Sequence, residues 1–241
     1  MVNVLLSTTY FGPIQWYQML SGADHAKLEC CECFQKQTYR NRCIIATANG
    51  PQSLSVPIDH TPLTIYHSTA QTPAAANNGQ CSARLLGDAC YQRDARMFNV
   101  QCIKDIRLSD HGEWRRQHWN ALTSAYGESP FFDYYQDDLR PFFESRRWTY
   151  LLDFNEAIRE VICQLLDIHP NLSRTLTYSR DVEDGWMDCR SAISPKHPNT
   201  LNSVEIRPYY QVYQHRNGFL PNLSILDLLF NMGPEGIFWL V

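Results

Sequence analysis

The residues of this chain best suited to chemistry fall in three places. The first is Gln37-Thr-Tyr-Arg-Asn-Arg42. If this segment is extended, side chains alternate, so Gln37 and Asn41 point one way and Arg40 and Arg42 the other. Two guanidiniums on one strand face can grip a carboxylate or phosphate through paired hydrogen bonds. The same spacing suits a solvated edge strand that uses charge against aggregation. The second place is His118, whose imidazole titrates near neutrality and would serve as a general base. Its helical face also carries Trp114 and Leu122, which equally describes a core histidine with its hydrogen bonds satisfied.

The third place is Ser224-Ile-Leu-Asp-Leu-Leu-Phe-Asn-Met-Gly-Pro234. A helix here has Ser224 as N-cap, Asp227 in the position of the capping-box acid, and Gly233-Pro234 as its stop. Ile225, Leu228, Leu229 and Met232 form one apolar face, and Leu226 and Phe230 cover much of the rest. A helix apolar almost all round is a buried one. Asp227 and Asn231, left on a narrow polar stripe with Ser224, therefore need partners from elsewhere in the chain. The stripe is either a hydrogen-bond network that locks the C-terminal region or the lining of a polar pocket shared with Arg40, Asn41 and Arg42.

Those groups must be positioned by elements of both kinds. Met1 to Tyr10 reads as a buried first strand, Tyr10-Phe-Gly-Pro13 as a turn, and Ile14 to Leu20 as a short helix closed by Gly22. Strands are expected within Cys33 to Ala46 and at Ser53 to Ile58, joined by a turn at Asn49-Gly-Pro51. Val100 to Leu108 alternates like a half-buried strand. Helices follow from Asp110, from Ser129-Pro130, with a break or kink at Pro141, and from Asp153, the last with its apolar residues at clean helical spacing. Short strand-like runs come at Arg174 to Ser179 and Val204 to Tyr213. Neither βαβ repetition nor a glycine-rich phosphate loop is evident. The expected class is α+β in a single domain over residues 1–241, with N-terminal strands, a helical middle, C-terminal strands and a buried closing helix. Residues 67–99 lose periodicity and read as a mobile insertion.

Composition narrows the function classes. The chain has 241 residues, 44% of them hydrophobic, enough for a large core. Its net charge of −4 argues against nucleic acid as a partner. No apolar run is long enough for a transmembrane segment, and the first residues lack the positive region of a signal peptide, so a cytoplasmic protein is expected. Nine cysteines at irregular spacing suit reduced thiols better than a disulfide framework. His25, Cys30, Cys31, Cys33 and Cys43 lack the paired knuckles of a structural zinc site, so no metal and no cofactor are expected.

Several blocks together resemble the WbqC-like proteins, encoded among bacterial O-antigen and related surface-polysaccharide genes. The carriers are Phe34 to Cys43, Trp114 with Gln117-His-Trp-Asn-Ala121, Tyr126 with Ser129 to Tyr135, and Phe219 to Pro234, with Thr9 to Ile14 resembling the family's opening. The chain departs from the pattern at 67–99 and in a shortened stretch near 181–203. The resemblance implies a role in polysaccharide modification, the suggested reaction being transfer of an aminoacyl group such as glycine to an amino sugar. It brings no residue roles.

On that reading the partners are an activated acyl donor and an amino-sugar or nucleotide-sugar acceptor. His118 and Asp227 are the expected catalytic groups, and Gln37, Arg40, Asn41, Arg42 and Asn231 the expected substrate-binding groups. No nucleophile–histidine motif is visible, which favours direct attack on a preactivated donor over a covalent acyl-enzyme. The alternative is a non-catalytic module that binds a nucleotide-sugar, glycan or protein, supported by the aromatic density of residues 131–150.

Overall fold

The computed structural model describes residues 2–59, 101–196 and 207–240. The chain begins β1 (Asn3–Ser7), α1 (Ile14–Ser21), β2 (His25–Glu29) and a hairpin of β3 (Arg42–Thr47) and β4 (Gly50–Ser55). A helical middle follows, with α2 (Trp114–Tyr126), α3 (Phe132–Leu139), the single turn α4 (Pro141–Glu144) and α5 (Leu151–Leu165). Then come β5 (Leu172–Arg174), β6 (Trp186–Asp188), the turn α6 (Gln214–Asn217) and the closing helix α7 (Ile225–Met232). The arrangement is α+β in one domain. The expected insertion at 67–99 lies outside the described residues.

The principal sheet has the order β5-β2-β1-β6, and every neighbouring pair in it is parallel. Parallel strands need a crossover, and β1, α1 and β2 supply one as a βαβ unit. That unit was not foreseen, because α1 has only eight residues and its connections are short. Strand β1 is the first in sequence yet sits inside the sheet. Later strands join on its β2 side, then on its other side through β6. The order thus reverses next to β1.

Several expectations are corrected. Only the end of Cys33 to Ala46 is strand; residues 36–41 form turns and bends, and Gln37 takes a left-handed φ of 60°. The alternation that put Arg40 and Arg42 on one face therefore does not exist. The expected strand ending at Leu108 is a 3-10 turn at Ile103–Asp105, flanked by isolated bridges Cys33–Cys102 and Ile58–Leu108. Of Arg174 to Ser179 only Arg174 is strand, and 207–213 contains none. Asp110 does not cap α2 but pairs with Arg115. Cys33 is disulfide-bonded, so the thiols are not all reduced, while Cys30, Cys31, Cys43, Cys102, Cys163 and Cys189 are free.

The closing helix is buried as its pattern demands: Ile225, Leu226, Leu228, Leu229 and Phe230 are fully enclosed. Ser224 caps it, accepting from the Leu226 N–H at 3.3 Å. Gly233 ends it at φ 58°, where an added Cβ would meet the Phe131 ring at 2.6 Å. Pro234 does not stop the chain, which continues as a 3-10 helix over Gly233–Trp239.

Candidate functional site

Carboxyl ends of parallel strands leave a crevice where strand order reverses, and ligands of open α/β sheets bind there. Here that place is the end of β1 beside the end of β6. A cleft opens between them, lined by Ser7, Thr8, Thr9, Tyr39, Arg40 and Arg190 among others. The cleft is small and holds about 10 Å³, room for one water-sized group.

Five charged side chains gather around this crevice. The Arg40 guanidinium spans the Glu32 carboxylate, with Nε to Oε1 at 2.8 Å and Nη2 to Oε2 at 2.5 Å. Its Nη2 also donates to Ser7 Oγ at 2.8 Å, and that hydroxyl donates to the Arg190 carbonyl at 3.1 Å. Arg190 grips Asp188 through Nε at 3.0 Å and Nη2 at 2.7 Å, and reaches Glu29 through Nη1 at 3.3 Å. Arg40, Glu32, Glu29 and Arg190 are all buried. Paired as they are, these charges tolerate burial; removing one partner would strand the other. The pairing with Arg190 holds the Asp188 carboxyl below the usual range, against the opposing effect of its burial.

The loop that leaves β1 is held from several sides. The Tyr10 N–H bonds the Tyr39 carbonyl at 2.9 Å, tying it to the segment that carries Arg40. Phe11 takes a φ of 40°, left-handed for a non-glycine residue, and its ring stacks on Phe143. Gly12 packs against Thr9 so closely that a Cβ there would meet Thr9 Oγ1 at 2.4 Å. Ser224 Oγ donates to the Phe11 carbonyl at 2.8 Å, and the Ile225 N–H to the Gly12 carbonyl at 2.9 Å. The closing helix therefore clamps this loop without lining the cleft.

The expected site residues do not assemble as one group. Asp227 lies in the interior and accepts from Tyr126 Oη at 2.8 Å, Tyr209 Oη at 2.5 Å and Gln211 Nε2 at 3.1 Å. Burial pushes its carboxyl up to about 6, with these donors acting in the opposite sense. Neither Arg40 nor Arg42 is among its partners, so of the two readings of the polar stripe the hydrogen-bond network is the one observed, and no pocket joins it to those arginines. Asn231 turns back along its own helix to the Asp227 carbonyl at 2.8 Å. His118 is buried against Trp114, with Nδ1 2.9 Å from Tyr10 Oη. Burial lowers its pKa to about 4, so it is neutral and enclosed, a core histidine. Asn41 holds the hairpin through the Val56 carbonyl at 2.8 Å, Arg42 bonds Ser55 Oγ at 3.0 Å, and Gln37 is exposed. Of the expected set only Arg40 lines the cleft.

Cys189 also lines it, but burial raises its thiol to about 11, leaving it protonated and a poor nucleophile. A wider groove of about 530 Å³ runs beside the end of α5. It is lined by Arg159, Asp167 and His169 among others, and the His169–Asp167 pair there is solvent-exposed. Sequence reasoning missed Thr8, Glu29, Glu32, Asp188 and Arg190. The available signal was two threonines directly after an apolar strand, with Gly-Pro before a helix.

The family model described as the WbqC-like protein family matches residues 94–238. The chain belongs to the WbqC-like protein family. The match takes in α5, β6 and α7 but stops short of β1 and Arg40. This WbqC-like chain is also similar to the uncharacterized protein Rv1507c of Mycobacterium tuberculosis (strain ATCC 25618 / H37Rv), with 28% identity over 151 residues. That alignment covers 53% of this chain and 64% of the relative, so the chain spans less than two thirds of that protein. No solved structure matches it. Among the described residues no helix is long and apolar enough to cross a membrane, and no group of His, Cys, Asp and Glu could hold a metal ion.

Proposed function

We propose that this WbqC-like protein transfers an aminoacyl group, glycine being the family's suggested one, to an amino sugar in surface-polysaccharide biosynthesis of the O-antigen type. The reaction site on this reading is the cleft at the carboxyl ends of β1 and β6. The observation that carries the location is the buried cluster of Glu29, Glu32, Arg40 and Arg190, with the exposed Asp188 paired to Arg190 at its edge, at the point where strand order reverses. Such a cluster holds hydroxyls and amide groups in fixed directions, as a polar substrate requires.

The amine nitrogen attacks the acyl carbonyl and a C–N bond forms. The bond from that carbon to the leaving oxygen or sulfur breaks, and the amine's proton passes to the leaving group or to water. No acyl-enzyme is required, in keeping with the protonated Cys189 thiol. The enclosed His118 is not a base for this site, and Asp227 acts through the interior rather than on substrate.

The test incubates purified protein with a glycyl thioester and a nucleotide-linked amino sugar, and follows the sugar by mass spectrometry. Gain of one glycyl residue, dependent on protein, is the expected result. Saturable binding of the sugar without turnover would replace the transferase by a binding module.

A further inference from the structure

The polarity of the strand-end cleft is set by a residue of α5 that the sequence pattern does not single out. Asn155 lies on α5 and is 1% exposed. Its Nδ2 is 2.8 Å from the Arg40 carbonyl and 3.1 Å from Thr8 Oγ1. A carbonyl can only accept, so the atom facing Arg40 is the amide NH₂, and the same nitrogen donates to Thr8. With that lone pair occupied, the Thr8 hydroxyl keeps its own proton to give away. No protein group among the described residues accepts it. Arg40 is in the same condition: Nε and Nη2 are committed to Glu32, Ser7 and the Arg190 carbonyl, and Nη1 has no partner among the described residues. Arg40 is 3% exposed and Thr8 1% exposed, and both line the cleft. The orientation has a cost, because Asn155 Oδ1 is buried with no hydrogen-bond partner. Native proteins rarely leave such a group unless the arrangement serves something.

We infer that the floor of the cleft binds one oxygen of a carboxylate or phosphoryl group through two donors, the Thr8 hydroxyl and Arg40 Nη1, with Asn155 as the positioning residue. This deepens the proposed function by naming the substrate class of the same site, and it rests on that site being used. The two sources of such an oxygen are a carboxylate and a phosphoryl group of the donor. An anionic oxygen accepts from both of these donors at once and is bound better than the oxygen of a neutral hydroxyl or than an amine, which brings protons of its own.

The test titrates inorganic phosphate and, separately, acetate into the full chain, reading ³¹P or ¹³C line broadening. Saturable binding is expected for at least one, and the tighter of the two identifies the source. Thr8→Val removes the hydroxyl at nearly constant volume and should weaken binding at least tenfold. Thr8→Ser should restore it, and Arg42→Gln should leave it unchanged, since Arg42 lies on the hairpin. Circular dichroism establishes that each variant is folded. Asn155→Asp offers Thr8 an acceptor in place of a donor and should weaken binding as Thr8→Val does, with no further loss in the double variant. Absence of saturable binding by both ions, or equal affinity in wild type and Thr8→Val, overturns the inference. Failure of the transferase reading is separate. A chain that binds oxyanions in this Thr8-dependent way but transfers nothing loses only that reading, whereas one that transfers acyl groups with unchanged donor KM in Thr8→Val loses only this inference.

Discussion

At the scale of single residues, two buried titratable groups act in opposition. Asp227 has its pKa raised to about 6, so in acid the folded state takes up a proton before the unfolded state does. Its contribution to stability is full below the unfolded carboxyl value and is lost as pH rises through about 6. His118, lowered to about 4, behaves in the opposite sense. Its contribution is full above the unfolded imidazole value and is lost as pH falls through about 4. Each effect is on the order of 3 kcal/mol from shifts of this size, and over the acid range they largely cancel. Asp227→Asn removes one of the pair. It should leave an amide NH₂ among the donors Tyr126, Tyr209 and Gln211, costing about 1–3 kcal/mol near pH 7. It should also make stability fall more steeply on acidification than in wild type. Urea unfolding of both proteins across the acid range measures this, and parallel pH profiles would contradict it.

At the scale of elements, α7 matters for what its N-terminus holds. Ser224 caps the helix, bonds the Phe11 carbonyl and forms an isolated bridge with Pro13. Ser224→Ala therefore loses a cap and leaves a loop carbonyl unpaired, a cost of about 1–2 kcal/mol. The loop it clamps begins with Thr8, directly after β1, so oxyanion affinity at the cleft should fall as well. A drop in denaturation midpoint with unchanged affinity would limit Ser224 to a structural role.

At the scale of the whole molecule, the sheet is closed by segments far apart in sequence. β1 near the start pairs with β6, which begins at Trp186. Arg190 secures that closure, bonding Asp188 and Glu29 and also the carbonyls of Ser179 at 2.7 Å and Arg180 at 3.1 Å. Arg190→Met removes the shared cation and strands the buried Glu29 carboxylate, a loss of about 3–5 kcal/mol for a buried pair, while the exposed Asp188 stays solvated. Adding Glu29→Gln should recover part of it. Equilibrium unfolding of the single and double variants checks the coupling, and strictly additive losses would show that Arg190 and Glu29 act independently.

What the sequence determined by itself was local. The spacing of apolar residues and the cap and stop signals place α7 and predict its burial, because those forces act within a few turns of chain. The α+β class, the first strand and the β3–β4 hairpin are legible for the same reason. The demand that Asp227 have partners was also legible, since a buried carboxylate must be hydrogen-bonded, but Tyr126, Tyr209 and Gln211 could not be named from spacing. The parity argument for Arg40 and Arg42 failed because a left-handed residue at Gln37 and the turns around it break the strand it assumed. Only the tertiary structure decided the site. Strand order brings Thr8, Arg40 and Arg190 to one crevice, and α5 inserts Asn155 between two of them. Their sequence separations leave no periodic trace, because the geometry is fixed by which strands pair rather than by any local preference.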